Sequence, residues 1–195
     1  EPFVLACSGG VDSMFAADFF LRGRKNFSLA YFNHGTPQAM TMQACVEAFA
    51  TKNKIPLHLG MIDRQKLSHE SPEEWYRNCR YDFLNTLDSA VCTAHHLDDL
   101  AETWVFSSLN GNPKLISVKS QLKNGRALVR PFLSTRKERM IAWCTERNVR
   151  WVEDLSNQDP KYRRNYIRHQ LMPMALQVNP GLHQTLRRKL INYNA

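Results

Sequence analysis

The sequence predicts an α/β fold: a doubly wound parallel sheet followed by a short, basic, helical C-terminal appendage. Three observations predict it. Short apolar runs alternate with segments of helical period about 10–15 residues long. The first run breaks at Ser8-Gly9-Gly10, as a strand does when it enters a tight turn. The basic excess sits entirely at one end: residues 1–125 carry 12 Lys/Arg against 13 Asp/Glu, and residues 126–195 carry 14 against 5.

In chain order, Phe3-Val4-Leu5-Ala6-Cys7 reads as a buried strand. Asp12 or Ser13 can cap the helix that follows, whose apolar positions Met14, Ala17, Phe20 and Leu21 recur at helical spacing. Phe27 to Phe32 is a second strand, leading through Asn33-His34-Gly35 to a helix over about Ala39 to Lys52. Leu57 to Ile62 is a weaker third strand. Ser71-Pro72-Glu73-Glu74 has the cap-then-proline start of a helix reaching about Leu87. Ala90 to Ala94 is a fourth strand, and Asp98 opens the next helix. Residues 110–126 are polar and rich in Gly, Pro and Lys, and read as a loop or linker. Val129 to Leu133, a helix from about Ser134 to Arg147, and helical pieces near Arg164–Leu176 and His183–Ile191 complete the chain, which has no internal repeat.

At 195 residues and 43% apolar, the chain is one domain of ordinary size, able to bury a core without disulfide or metal staples. No apolar run is long enough to span a membrane, and Glu1-Pro2-Phe3 lacks the charged start of a signal peptide. The chain has no initiator Met, and a few residues are expected to have been trimmed. The five cysteines, Cys7, Cys45, Cys79, Cys92 and Cys144, form no C-x-x-C pair and read as reduced thiols of a cytoplasmic protein. The net charge of +8 points to a polyanionic partner, and arginines interleaved with tyrosines around Arg163, Arg164, Asn165 and Arg168 favour RNA over a merely solvated face.

A doubly wound sheet binds ligands at the carboxyl ends of its strands, which puts residues 8–13, Asn33-His34 and residues 95–102 on one rim. Ser8-Gly9-Gly10-Val11-Asp12-Ser13 can wrap an anion with backbone N–H groups, the helix dipole and two hydroxyls. Asp12 in such a loop would repel phosphate unless a divalent cation stood between them, so it is a candidate Mg2+ ligand; a plain Gly-Gly turn with a capping Asp is the alternative. The lysine of a P-loop NTPase is missing. The strand–SGG-x-DS–helix unit resembles the PP-loop ATP pyrophosphatases, which cleave ATP between the α and β phosphates to adenylate a substrate. That resemblance implies a Rossmann-like sheet of the adenine nucleotide alpha hydrolase type.

His95-His96-Leu97-Asp98-Asp99-Leu100-Ala101-Glu102-Thr103 stands at a strand-to-helix junction, with Asp98, Asp99 and Glu102 sharing one helical face. With the histidines they suit Mg2+ binding and proton transfer; a structural histidine or a zinc site are the alternatives. The block resembles the H-H-x-D-D-x-x-E-T signature of the tRNA(Ile)-lysidine synthetase family and its tRNA-thiolating relatives. Glu73, Arg77, Arg80 and Tyr81 resemble that family's E-x-x-x-R-x-x-R-Y helix, though Glu73 and Arg77 are also spaced for a simple ion pair. Arg130-Pro131-Phe132-Leu133 resembles its R-P-L-L strand, and Asp154 to Arg168 its D-x-S-N … R-N-x-I-R segment. The thiolating relatives typically carry C-x-x-C pairs, which this chain lacks.

The resemblance implies ligation of free lysine to the wobble cytidine of a CAU-anticodon isoleucine tRNA, through an adenylated cytidine, with ATP and Mg2+. It implies Asp12, His95, Asp99, Glu102 and Arg80 as catalytic residues. Nucleotide would lie on Ser8, Gly9, Gly10, Val11, Asp12, Ser13 and His34, metal on Asp12 and Asp99, and RNA on Arg163, Arg164, Asn165 and Arg168. Residues 1–125 would form the ATP-binding catalytic domain, and residues 126–195 its continuation and the tRNA-contacting helices. A homodimer is compatible with this reading, and a membrane is not part of it. Two departures fall on the rim: Thr36-Pro37 replaces the family's Leu-Arg after His34-Gly35, and Asn110-Gly111-Asn112-Pro113 replaces R-G-S-G. Another cluster-free PP-loop enzyme, a non-catalytic ATP- and tRNA-binding protein, and a catalytic fragment of a longer chain are the alternatives.

Overall fold

The computed structural model describes residues 1–154 and 163–193. Six strands form one sheet: β1 Phe3–Ala6, β2 Phe27–Asn33, β3 Leu57–Met61, β4 Ala90–Cys92, β5 Lys119–Gln121 and β6 Ala127–Val129, in the order β3-β2-β1-β4-β6-β5. All pairs are parallel except β5 with β6. The helices are α1 Val11–Arg22, α2 Ala39–Asn53, α3 Pro72–Asn85, α4 Leu97–Leu109, α5 Lys137–Glu146, α6 Arg163–Tyr166, α7 Met172–Val178 and α8 Leu182–Tyr193, with a π-helical turn at Ile167–Leu171 joining α6 to α7. No described helix is long and apolar enough to cross a membrane.

Strand alternation sorts the core into two layers. Leu5, Cys7, Leu29, Tyr31 and Cys92 face Phe15, Val46, Met140 and Cys144 from α1, α2 and α5. Val4, Ala30, Val91 and Leu128 face the opposite side, against Leu84 and Leu87 at the end of α3. Gly60 in β3 allows α3 to lie close, since a Cβ there would meet the Phe83 ring at 2.5 Å. All five cysteines are free and four are buried; burial pushes the Cys7, Cys92 and Cys144 thiols up, to between about 11 and about 12.

The helix starts show what caps do. Ser71 caps α3 through a reciprocal capping box with Glu74, as the sequence predicts. α1 begins one residue before Asp12, with Gly10 at the cap, and α4 begins at Leu97, with His96 rather than Asp98 capping it. Arg77 forms no ion pair with Glu73; its guanidinium lies 4.7 Å over the Tyr81 ring.

The segment read as a loop holds β5, which hairpins into β6 around Asn124 and Gly125 (φ +81°). Asn-Gly between short strands is a hairpin signal. β6 stops at Val129, since Pro131 has no N–H for a longer ladder. The division at residue 125 thus falls in a tight turn within the sheet.

The basic C-terminal helices have a core of their own. Leu182, Leu186 and Leu190 recur every four residues along α8 and pack with Ile167 and Met172 against Leu97, Leu100 and Ala101 of α4. Each such leucine contributes roughly 2 kcal/mol on burial. The π turn precedes Pro173, which offers no N–H to the carbonyl four residues back and whose ring crowds it.

Candidate functional site

The strand order reverses between β1 and β4, so the loops leaving their carboxyl ends open a crevice between them. The loop after β1 is Ser8-Gly9-Gly10. Gly9 has φ +84°, and a Cβ there would sit 2.8 Å from the Met42 carbonyl oxygen, so only glycine makes this turn without strain. The Gly9 carbonyl accepts from Val152 N–H at 2.9 Å. Ser13 Oγ donates to the Gly10 carbonyl at 3.0 Å and accepts from Ser8 N–H at 3.1 Å, so this buried hydroxyl braces the loop. Ser8 is exposed, and no side chain caps the start of α1. The first-turn N–H groups of Val11 and Asp12 therefore open toward the crevice with the positive end of the helix dipole.

Asp12 projects from the first turn of α1. Its Oδ2 lies 3.5 Å from His96 Nε2 and 3.7 Å from Lys137 Nζ, while Oδ1 is buried with no hydrogen-bond partner. An orphaned carboxylate oxygen beside an anion-binding helix start fits a hard divalent cation, and Mg2+ asks for only one or two carboxylates when phosphates and water supply the rest. Asp99, the other expected metal ligand, is ion-paired on both oxygens. Its Oδ1 pairs with Arg164 at 3.1 Å and Arg168 at 3.5 Å, and its Oδ2 with His96 Nε2 at 3.3 Å. Among the described residues, no group of three or more His, Cys, Asp or Glu side chains is arranged to hold a metal.

His96, 1% exposed, is the centre of the cluster. Burial pushes its pKa down, but hydrogen bonds to Asp12 and Asp98 and the charge of Asp99 outweigh that and raise it to about 9. Three carboxylates thus surround the ring, whose Nδ1 also takes the Asp99 N–H at 3.4 Å as the cap of α4. The motif contains both histidines, and the sequence expectation places the catalytic role on His95. The distinguishing signal is local: His96 holds the cap position three residues before Asp99, whose Oδ2 accepts the His96 N–H at 3.0 Å.

His95 has the opposite character. Burial lowers its pKa to about 4, with Arg130, Arg164 and Arg80 adding to the shift against the pull of Asp99, and Nδ1 lies 2.8 Å from Thr93 Oγ1. His34 is similar: burial and Arg80 lower it to about 4 against Asp154, and its ring stands edge-on to Phe32 and Tyr76. Half-buried Arg80 is itself pushed down by burial, with Arg77 and Arg164 adding to the shift against Tyr81. His34, His95, Arg80, Arg130 and Arg164 thus share one electropositive wall of the crevice.

Glu102, 4% exposed, is clamped by Arg168 through Nε to Oε1 at 2.7 Å and Nη2 to Oε2 at 3.0 Å, with Arg164 Nε at 3.3 Å. Of the four residues assigned to RNA, Arg164 and Arg168 pair with Asp99 and Glu102, Arg164 with its side chain still 47% exposed, Asn165 is buried, and Arg163 is exposed. Leu155, Ser156, Asn157 and Tyr162 of the same motif lie outside the described residues.

Two further groups reach the site from distant sequence. The Lys137 side chain meets Asp12, and its N–H donates to Asp98 Oδ2 at 2.8 Å. His183 of α8 stands 3.2 Å from Asp98 Oδ1. Neither lies in a motif that local sequence marks.

Comparison with known proteins agrees with this architecture. A U34-tRNA thiolase from Methanococcus maripaludis, solved with its 4Fe-4S cluster, superposes with a TM-score of 0.77 at 13% identity, over 99% of this chain and 71% of that one; the fold is shared. A tRNA(Ile)-lysidine synthase from Vibrio parahaemolyticus is 33% identical over 197 residues, covering 95% of this chain and 45% of that protein. One from Thermosipho africanus is 31% identical over 211 residues, covering 98% and 48%. The chain thus spans about half the length of these relatives. The family model described as a PP-loop domain matches residues 1–175, a span that takes in the phosphate loop, the acidic helix and the arginines that close over it: the chain belongs to the PP-loop family.

Proposed function

We propose that this chain catalyses ATP-dependent formation of lysidine on a CAU-anticodon isoleucine tRNA. The observation that carries the reading is the pairing of an uncapped phosphate loop with Asp12, whose Oδ1 is buried and unpartnered. The similarity to lysidine synthases supports the choice of substrate.

In the first stage the cytosine O2 attacks the α-phosphorus of ATP and pyrophosphate leaves. The Gly10–Asp12 amides and Lys137 stabilise the charge that develops on the phosphates, Lys137 serving as the cation that the loop itself lacks. Asp12 holds Mg2+, which supplies further charge neutralisation when bound. In the second stage the lysine Nε attacks C2 of the cytosine, AMP leaves, and the amine gives up a proton. The attacking amine must be neutral, whereas in water it is protonated below about pH 10.4. The guanidiniums of Arg80, Arg130 and Arg164, which hold His95 neutral, also disfavour an ammonium beside them. Asp99 is ion-paired, its pKa lowered because His96 and Arg164 outweigh its burial, and neutral His95, with Nδ1 toward Thr93, is the uncharged acceptor beside it.

The test is turnover. The chain is incubated with ATP, Mg2+, lysine and unmodified tRNA, and the digested tRNA is analysed by mass spectrometry for a lysine-bearing cytidine. Lysine-dependent product establishes the reading. Pyrophosphate release without that product means a different nucleophile, and ATP and tRNA binding without either means a binding protein.

A further inference from the structure

We propose that His183 is a positioning residue of the nucleotide site, acting through Asp98 and His96 on Asp12. The inference rests on the ATP reading above but concerns a residue that no motif singles out.

The contacts form an unbroken line. His183 Nε2 lies 3.2 Å from Asp98 Oδ1, Asp98 Oδ2 lies 3.5 Å from His96 Nδ1, and His96 Nε2 lies 3.5 Å from Asp12 Oδ2. The Nδ1 end of the ring faces Asp98 and takes the Asp99 N–H at 3.4 Å, and the Nε2 end faces Asp12 and Asp99, so what stands at Nδ1 sets the direction of Nε2. Asp98 is the hub, because it also accepts the Lys137 N–H at 2.8 Å and has Arg136 Nε at 3.6 Å. Three helices therefore meet on one carboxylate: α4 provides it, α5 approaches with its first turn, and α8 with His183.

The His183 side chain is 6% exposed and Asp98 is 26% exposed, and because His183 Nε2 is buried without a hydrogen-bond partner, its 3.2 Å approach to Asp98 is the polar contact that water cannot replace. Leucines 186 and 190 seat α8 on α4 independently of the histidine. Helix packing and site geometry are thus separable.

Three variants of this chain, and an Asp98→Asn background, test this. His183→Leu removes the contact, His183→Gln keeps an amide donor near the Nε2 position, and Leu186→Ala loosens α8 without touching Asp98. His183→Leu is expected to weaken Mg·ATP binding about tenfold, measured by titration calorimetry, with tRNA affinity unchanged and His183→Gln restoring most of the loss. Leu186→Ala is expected to lower Tm with Mg·ATP affinity retained. In an Asp98→Asn background the His183→Leu effect should vanish rather than add. The crystal structure of His183→Leu should show the His96 ring turned from Asp12. Unchanged Mg·ATP affinity with His96 in place overturns the proposal, as does an equal affinity loss in Leu186→Ala. A wild-type chain that binds no Mg·ATP sinks the ATP reading instead, and the position of His96 in the variant crystal still decides the role of His183.

Discussion

Arg168 and Glu102 form a two-point ion pair, with 2.7 and 3.0 Å contacts, between the turn that follows α6 and the second turn of α4. The pair joins a residue that the motif reading assigns to RNA with one that it assigns to catalysis. Its geometry is that of a staple. The carboxylate is satisfied by three guanidinium contacts, and its neighbour Asp99 is held by the same two arginines. Arg164 and Arg168, four residues apart, grip Asp99 and Glu102, three apart, so two helical faces interlock along the wall of the crevice.

Removing one member of this staple should destabilise the fold. Glu102→Gln leaves Arg168 with only the longer 3.5 Å contact to Asp99, and a loss of about 2 kcal/mol is expected. Urea denaturation measures it, and the double variant Glu102→Gln with Arg168→Gln should recover part of the loss. A midpoint that does not move in the single variant would show the pair to be energetically idle.

The Asp12→Asn variant should lower tRNA-dependent pyrophosphate release by about 100-fold or more while tRNA affinity stays within about twofold. Asn keeps the shape, so folding is spared, and Mg2+ titration of the residual rate should show a weakened metal dependence. Wild-type activity in this variant would remove Asp12 from the metal site.

Stability should peak near pH 6.5. His96 has a folded pKa of about 9, above its ordinary 6.5, so its contribution is complete below 6.5 and fades as the pH rises through about 9. His34 and His95 are lowered to about 4, so the stability they give is present above 6.5 and is lost as the pH falls from 6.5 toward about 4. Urea midpoints across this range should fall on both sides, and His96→Gln should flatten the alkaline limb alone. An alkaline limb that survives the substitution would mean another group causes it.

Arg163 and Arg164 are both exposed, but Arg164 is ion-paired to Asp99 and Glu102, and half-buried Arg168 is clamped to Glu102. Arg163→Ala should weaken tRNA binding, reduce its salt slope by about 1, and leave Tm unchanged. Arg168→Ala should cost stability first. Filter binding at several salt concentrations, with a melting curve for each variant, separates the two effects; identical behaviour would refute the division.

Much of this protein follows from short-range pattern. Alternating apolar runs and helical periods mark the parallel strands and most of the helices, because burial on the two faces of a central strand is a local property of the sequence. Ser8-Gly9-Gly10 and the His95–Glu102 block are legible for the same reason: a tight turn and a helix start each need particular residues within a few positions. The β5–β6 hairpin was announced by Asn124-Gly125 but obscured by the polar residues around it. What local sequence could not decide is which charges meet. That Lys137 reaches Asp12, that Arg164 and Arg168 close on Asp99 and Glu102, and that His183 approaches Asp98 are contacts across 62 to 125 residues. The sequence by itself determined the sheet, its phosphate loop and the acidic helix. Only the tertiary structure decided the pairing of the charges, since the strength of each pair depends on how far distant elements exclude water from it.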